Sequence, residues 1–274
     1  MNYEKLQNVD RRIIYTLLIV VLLIPMFKPL GIPLAVNATT QKVYDLIEAL
    51  NPNEDVALFV IDYSPGGSPD VHPQAMAVAE HLRRRGIKTV MVAFVDAGAM
   101  FGEQILDVML AKGWVYGTDV VNLGYMPGME TGVKNFAENP GGSFTVDNRG
   151  NTVADMPIMQ GITHITDFAF IVDFQTGNPG YQEFLRQVQG PYGVPYAAGI
   201  VTVSVPNTLP YVASGQISGL LQGLRGAAEY EILLGAPGGG AAKMDAQSLG
   251  HLLIIGFILV GNFAYFMTKK KPTR

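Results

Sequence analysis

The sequence contains no cysteine among its 274 residues, which excludes disulfide bonds, thiolate catalysis and zinc sites built on thiolates. Charge is also scarce, since 15% of the residues are charged and the formal net charge is −4. No stripe of lysine and arginine interleaved with aromatic residues lies between the two ends, so no nucleic-acid partner is expected. With 49% hydrophobic residues, the chain is long enough for one buried domain of about 200 residues plus membrane segments.

Both ends carry long hydrophobic runs, in residues 13–36 and in 248–274. A helix of about 20 apolar residues spans a bilayer, so each run is predicted to be a transmembrane segment with the lipid bilayer as its partner. Basic residues flank the outer end of each run. The positive-inside rule then places both termini in the cytoplasm and the main domain outside the plasma membrane. The alternative for the first run is a cleaved signal peptide ending at Val36-Asn37-Ala38.

The region between the anchors divides into an α/β domain over 37–234, which follows the N-terminal segment 1–36, and a glycine-rich linker over 235–247. Apolar strand patterns alternate with helical patterns through this domain. The strands are predicted at 56–62, 88–95, 118–123, 168–173 and 195–203. This alternation predicts a Rossmann-like, doubly wound, mainly parallel five-stranded sheet with flanking N- and C-terminal transmembrane helices. Residues 124–167 interrupt it as an insertion, a length typical of binding or lid elements.

Three of the strand patterns run into an aspartate, namely Asp62, Asp96 and Asp173. Ligands bind at the carboxyl ends of the strands in open parallel sheets, so these side chains are candidate site residues. If they converge, they could bind a divalent cation such as magnesium or calcium, or provide an acid and a base for hydrolysis. The alternative is that each aspartate caps a helix or fixes its own loop.

The turn after the first strand is rich in serine and glycine, and a ligand-binding role is predicted for it together with one tyrosine of the insertion. These candidates are Ser64, Gly66, Gly67, Ser68 and Tyr125. The turn lacks GxGxxG spacing and a P-loop lysine, which disfavours a phosphate loop. Three serines are candidate nucleophiles, Ser64, Ser204 and Ser214, with His72 or His164 as the base.

The segment IDYSPGGS, residues 61–68, resembles the strand and SPGG turn of the Clp protease and signal peptide peptidase class of serine peptidases. In that class the nucleophilic serine lies in a turn after the next strand, whereas the corresponding turn here, residues 96–102, contains no serine. The whole arrangement is similar to a group of uncharacterised prokaryotic two-anchor membrane proteins. That resemblance implies a class of protein and no particular activity.

A helix is predicted over residues 208–234, with small residues four positions apart at Gly215, Gly219, Gly223 and Ala227. Four small residues on one helical face allow another backbone to approach closely. This pattern predicts assembly, either by self-association or with a membrane protein partner. The alternative is packing against the domain's own sheet.

The leading hypothesis from the sequence is a membrane-tethered α/β protein that acts as a binding or scaffold module without catalysis. The alternative is a membrane-anchored hydrolase, metal-dependent or similar to a serine peptidase, with its site at the carboxyl edge of the sheet. A third possibility is a small-ligand receptor whose pocket lies between the 63–71 turn and the 124–167 insertion.

Overall fold

The computed structural model describes residues 10–52 and 54–268. The chain forms two compact units, one of residues 34–236 and one of the residues on either side of them. Lys5 and the basic tail from Lys269 to Arg274, which contribute to the topology prediction, lie outside the described residues.

Unit 34–236 contains a six-stranded sheet in the order β3-β2-β1-β4-β5-β6, and every neighbouring pair is parallel. The strands are β1 Val56–Asp62, β2 Lys88–Ala93, β3 Val120–Tyr125, β4 Phe170–Gln175, β5 Tyr196–Ile200 and β6 Gly219–Gln222. The predicted parallel α/β sheet is confirmed. The predicted number of five strands is wrong, because the short edge strand β6 lies within the segment predicted to be helical.

Helices cover both faces of this sheet, which explains why the central strands are buried along their whole length. One face packs on α2 Ala38–Glu48, α3 Ser68–Arg85, α4 Gly98–Ala111 and α9 Gly223–Leu233. The other packs on α5 Glu130–Glu138, α6 Tyr181–Phe184, a π-helical turn Leu185–Gln189 and α8 Val205–Ala213, and the short α7 Gly190–Tyr192 follows the π-helical turn. The result is a three-layer, doubly wound architecture.

The predicted insertion, residues 124–167, contributes to the second of these layers. It contains α5 and three short 3₁₀ helices, Val153–Asp155, Pro157–Met159 and Ile165–Asp167. Its side chains Val133, Phe136 and Ile165 are buried in the core of that face. The segment therefore builds part of the hydrophobic core.

The four small residues predicted to share one helical face occupy three different kinds of structure. Gly215 lies in a turn with φ +80°, Gly219 lies in β6, and Gly223 begins α9 with φ +55°. Only Ala227 is inside a helix. The predicted helix over 208–234 is wrong, since the four-residue spacing runs through a turn, a strand and a helix. Self-association stays a prediction, but it has no shared helical face to support it.

Gly219 nevertheless has a packing role, because a Cβ there would lie 2.9 Å from the backbone nitrogen of Val43. The backbone of α2 thus rests directly on β6. Next to this contact, the buried carboxylate of Glu229 in α9 accepts hydrogen bonds from the Asn37 nitrogen at 3.1 Å and the Thr40 hydroxyl at 2.6 Å. It also pairs with Arg225 at 2.7 Å. The first and last helices of this unit are therefore joined by one side chain.

The other unit contains α1 Arg11–Phe27 and α10 Gly239–Thr268. Among the described residues, α10 is the one helix long and apolar enough to cross a membrane, whereas α1 has 17 residues. The carboxylate of Asp245 accepts hydrogen bonds from three successive backbone nitrogens, of residues 30–32, at 2.7, 3.0 and 3.2 Å. Because α10 begins at Gly239, most of the predicted linker 235–247 is helical, and that prediction is wrong.

Candidate functional site

Strands β1 and β4 lie side by side at the centre of the sheet, and the chain leaves them in opposite directions. The turn after β1 leads into α3 on one face, whereas the turn after β4 leads into α6 on the other. Such a reversal opens a crevice at the carboxyl ends of the strands, where doubly wound folds bind ligands. The carboxyl ends of β1 and β4 are therefore the expected position of a site.

Asp62 ends β1 and is fully buried. Its Oδ1 accepts hydrogen bonds from the backbone nitrogens of Phe94 at 2.6 Å and Val95 at 3.2 Å, which fixes the chain at the end of β2. Its Oδ2 is buried with no hydrogen-bond partner among the described residues. Oδ1 of Asp62 therefore fixes a loop, as one of the two alternatives from the sequence expects. Oδ2 makes no such contact with a loop in the described part of the chain.

Asp173 is also fully buried, but it does not end its strand, because β4 continues to Gln175. Its Oδ2 accepts hydrogen bonds from the Tyr196 hydroxyl at 2.7 Å and from Nε2 of Gln175 at 3.1 Å. Its Oδ1 has no hydrogen-bond partner in the described chain. The helix-capping alternative does not apply to this aspartate.

The register places both aspartates on one face of the sheet. Asp62 is opposite Gln175, and Asp173 is opposite Val60. Since side chains two residues apart in a strand point to the same side, Asp62, Asp173 and Gln175 share a face, the one covered by α6. Two adjacent strands thus bring a pair of carboxyl groups into a layer that is otherwise largely apolar.

Burial raises the pKa of both carboxyl groups because it removes water from the charged form. The pKa of Asp62 is raised well above its ordinary value, first by burial and then by the negative charge of Asp173. Burial raises the pKa of Asp173 to about 7, against the opposing hydrogen bond from Tyr196. The pair therefore retains a proton near neutral pH, and a protonated oxygen is a hydrogen-bond donor that neither carboxylate has when both are ionised.

Asp96 does not join this pair. It is exposed in the turn after β2, where its Oδ1 accepts a hydrogen bond from the Ala97 nitrogen at 2.7 Å. Across residues 10–52 and 54–268, no group of three or more histidine or acidic side chains is arranged to hold a metal ion. The predicted divalent-cation site is therefore not formed by Asp62, Asp96 and Asp173 together.

The serine and glycine-rich turn after β1 is bonded to the turn after β4. The Ser64 nitrogen donates to Thr176 Oγ1 at 3.0 Å, and that hydroxyl lies 3.4 Å from Ser64 Oγ. A Cβ at Gly67 would lie 2.2 Å from Thr176 Cγ2, so the glycine is needed for the two turns to approach. Within the turn, the Ser68 hydroxyl donates to the Pro65 carbonyl at 2.9 Å. The predicted binding turn is thus a structural support for the neighbouring loop.

The candidate catalytic histidine His72 is bonded to the strand end as well, since its Nδ1 lies 2.7 Å from the Tyr63 hydroxyl. His164 lies in the predicted insertion, where its Nδ1 contacts the Thr166 hydroxyl at 3.0 Å. The catalytic roles considered for these histidines and for Ser64 stay predictions.

A cavity of about 140 Å³ lies at the carboxyl ends of β4 and β5. Its lining residues are Gln175, Thr176, Gly177, Asn178, Tyr181, Gln182, Ile200, Ser204 and Asn207. Most of them carry an amide or a hydroxyl group, and none carries a charge. The cavity therefore offers neutral hydrogen-bonding groups around a small volume.

Gln175 connects this cavity to the buried aspartates. Its Nε2 donates to Asp173, and its Oε1 accepts from the Tyr181 nitrogen at 2.9 Å, at the start of α6. Both ends of the side chain are therefore fixed, and the amide lies between the cavity and Asp173.

The sequence-based prediction placed the ligand site on the other side of the crevice. The residues Ser64, Gly66, Gly67, Ser68 and Tyr125 do not line the cavity. Ser64 reaches it indirectly through Thr176, and Tyr125 is 42% exposed at the end of β3. In the sequence, the polar run Gln175-Thr176-Gly177-Asn178 at the end of an apolar strand could have indicated this cavity. It is not among the residues predicted from the sequence.

The geometry of the site is the available guide to its role. No protein family, curated protein or solved structure matches this chain.

Proposed function

We propose that the protein is a membrane-tethered α/β binding module that takes a small polar ligand into the cavity at the carboxyl ends of β4 and β5. The observation that carries this proposal is the lining of that cavity by amide and hydroxyl side chains at the expected edge of the sheet. Gln175 ends β4 and is fixed at both ends, and Gln182 and Asn207 lie in the first turns of α6 and α8. Such preorganisation favours binding, because little side-chain entropy is lost when the ligand enters.

Binding has more support than hydrolysis, the alternative function. A general acid or base must come within hydrogen-bonding reach of the substrate. The only pair of groups with the raised pKa of such a catalyst, Asp62 and Asp173 in the described chain, is fully buried behind Gln175. The lining of the cavity contains no acidic or histidine side chain.

The membrane tether is the second part of the proposal. The 30-residue helix α10 exceeds the roughly 20 apolar residues that cross a bilayer, whereas the 17 residues of α1 begin with Arg11 and Arg12, so its apolar part is shorter than a full span. The hydrogen bonds from residues 30–32 to Asp245 join the chain after α1 to α10. We therefore include α1 as a second span of the plasma membrane, with both termini in the cytoplasm and the α/β domain outside.

Blocking the cavity is expected to abolish ligand binding without unfolding the domain. Gly177 lines the cavity, its φ is not in the left-handed region, and a Cβ there would meet no atom within 4 Å. The variant Gly177→Leu should therefore fold and obstruct the entrance. A library of small polar compounds, screened by ligand-detected NMR on the full-length protein in detergent, is expected to give hits that weaken at least tenfold in this variant.

The matched control is Gly66→Leu. Gly66 is also exposed and free of left-handed strain, and its Cβ would come no closer than 3.9 Å to Ser64 Oγ, outside the cavity. Hits should bind this variant as they bind the wild type. Two results would count against the cavity as the binding site: an equal loss of affinity in both variants, or hits that bind Gly177→Leu as tightly as the wild type.

The topology is tested by placing single cysteines in this cysteine-free chain. Val203 is 84% exposed on the α/β domain, so Val203→Cys is expected to react with a membrane-impermeant maleimide in intact cells. Asn8→Cys, before the first hydrophobic run, should react only after lysis. Labelling of Asn8→Cys in intact cells would contradict the proposed topology.

A further inference from the structure

We infer that the cavity selects a neutral, polyhydroxylated ligand about the size of one sugar ring, either a free hexose or the terminal unit of a glycan. This inference rests on the proposed function, because it names the class of ligand that the same cavity accepts. It is carried by the chemistry of the lining, the charges behind it and the volume that it encloses.

The lining matches a molecule with many hydroxyl groups. Six of the nine lining residues have an amide or aliphatic hydroxyl side chain: Gln175, Thr176, Asn178, Gln182, Ser204 and Asn207. Each of these groups can both donate and accept hydrogen bonds. A sugar hydroxyl also does both, so several such groups can be satisfied around one ring. Tyr181 and Ile200 add an apolar surface, which suits the C–H side of a pyranose.

The charges around the cavity disfavour an ionised ligand. An anion would find no lysine, arginine or histidine in the lining. The acidic groups nearest in the chain are Asp173, one amide away, and Glu183, in the helix that begins at the cavity. The nearby Arg186 already pairs with Glu130 and Glu183, both at 2.9 Å. An ammonium group would also lack a carboxylate in the lining, because Gln175 separates the cavity from Asp173.

The volume of the cavity, which is partly open to solvent, limits how much of a ligand it can hold. That volume is about 140 Å³. This is the scale of a single hexose ring, and a disaccharide would have to extend into solvent. A polymer could therefore present only its terminal unit to the cavity.

Three ligands of equal ring size provide the test: glucose, glucuronate and glucosamine, which are neutral, anionic and cationic near neutral pH. Binding to the full-length protein in detergent is measured by saturation-transfer NMR, with galactose and mannose to cover stereochemistry. At least one neutral hexose is expected to bind saturably, and its charged analogues should bind at least tenfold more weakly. Equal or tighter binding of a charged analogue, or no binding of any neutral hexose, would overturn the inference.

Three variants make the test specific to the cavity. Gly177→Leu should abolish hexose binding, and Gly66→Leu should preserve it. The isosteric change Asn207→Asp puts a carboxylate into the lining. It is expected to weaken the binding of glucose and to strengthen the binding of glucosamine. An unchanged preference in Asn207→Asp would contradict the inference. Maltotriose distinguishes the two sources, since binding as tight as that of glucose indicates a glycan end and weaker binding indicates a free hexose.

This outcome can be separated from failure of the proposed function. One possible result is that no hexose binds, whereas other small polar compounds bind the wild type and do not bind Gly177→Leu. In that case the proposed binding function is supported and the inferred class of ligand is wrong. If no compound distinguishes the wild type from Gly177→Leu, the proposed function is wrong as well.

Discussion

Replacing Asp173 with asparagine is expected to make the α/β domain more stable than the wild type above neutral pH, by about 2–4 kcal/mol in the free energy of unfolding. Asparagine keeps an oxygen to accept the hydrogen bonds from Tyr196 and Gln175. It also carries a permanent donor and no charge. Below about pH 4, where the wild-type carboxyl group is neutral, the two proteins should differ by less than about 1 kcal/mol.

The sign follows from the raised pKa of the aspartate. The pKa of Asp173 is about 7 in the folded protein, against an ordinary value of 3.8. Below the ordinary value of 3.8 the aspartate is protonated in both the folded and the unfolded protein. The free energy of unfolding is then highest, because no charge has to be buried on folding. As the pH rises between these values the unfolded chain releases its proton while the folded protein keeps it, and the loss of stability is complete above the folded pKa. The raised pKa of Asp62 gives a decline of the same sign.

Other groups titrate in the same range, so the informative quantity is the difference between wild type and variant. The pKa of His81 is lowered by burial, which makes stability rise with pH below its ordinary value of 6.5 and opposes the effect of the aspartates. The contribution of His81 is common to both proteins and largely cancels. Near the pair itself, Glu183 lies close enough to raise the pKa of Asp173, and the Tyr196 hydroxyl donates to Asp173, so the substitution also changes the surroundings of these two groups.

The measurement is denaturant unfolding at several pH values, followed by fluorescence. The single tryptophan, Trp114, is 8% exposed in unit 34–236, so its emission reports unfolding of that unit. The control is Asp96→Asn, which removes an exposed carboxylate and should change stability by no more than about 0.5 kcal/mol at any pH. A difference between Asp173→Asn and the wild type that does not change with pH would refute a shared proton in the buried pair.

The second large effect concerns the contact between the turns after β1 and β4. Gly67→Ala is expected to destabilise the domain by about 2–3 kcal/mol, because its Cβ would lie 2.2 Å from Thr176 Cγ2. Adding Thr176→Ser removes that methyl group and keeps the hydroxyl that accepts from the Ser64 nitrogen. The double variant should recover at least half of the lost stability.

Unfolding of the two single variants and the double variant forms a mutant cycle that isolates this contact. Gly66→Ala is the control, since its Cβ would be 3.9 Å from the nearest atom outside its neighbours, and it should leave stability unchanged within about 0.5 kcal/mol. Additive effects of Gly67→Ala and Thr176→Ser would mean that the methyl group is not the obstacle.

The sequence predicted the parallel sheet because its central strands are buried on both faces and appear as continuous apolar runs. Strand β6 was not predicted, because its four residues, GLLQ, are too few to show the alternation of a strand. The glycines four positions apart in the same segment also indicated a helix. The cavity could not be predicted, because it depends on the adjacency of β4 and β5 and on where each strand ends. Asp173 shows why the end of a strand matters. It was predicted to lie at the edge of the sheet, but its strand continues for two more residues and Asp173 is buried.

The bonds around Glu229 have a mechanical consequence. The carboxylate of Glu229 in the last helix of unit 34–236 holds Asn37 and Thr40 at the start of the first. A pull on the chain before Asn37 would therefore load these hydrogen bonds, and through them the last helix. In the language of chain topology, the α/β domain is inserted between two flanking segments, and its own first and last helices are joined to each other by one carboxylate.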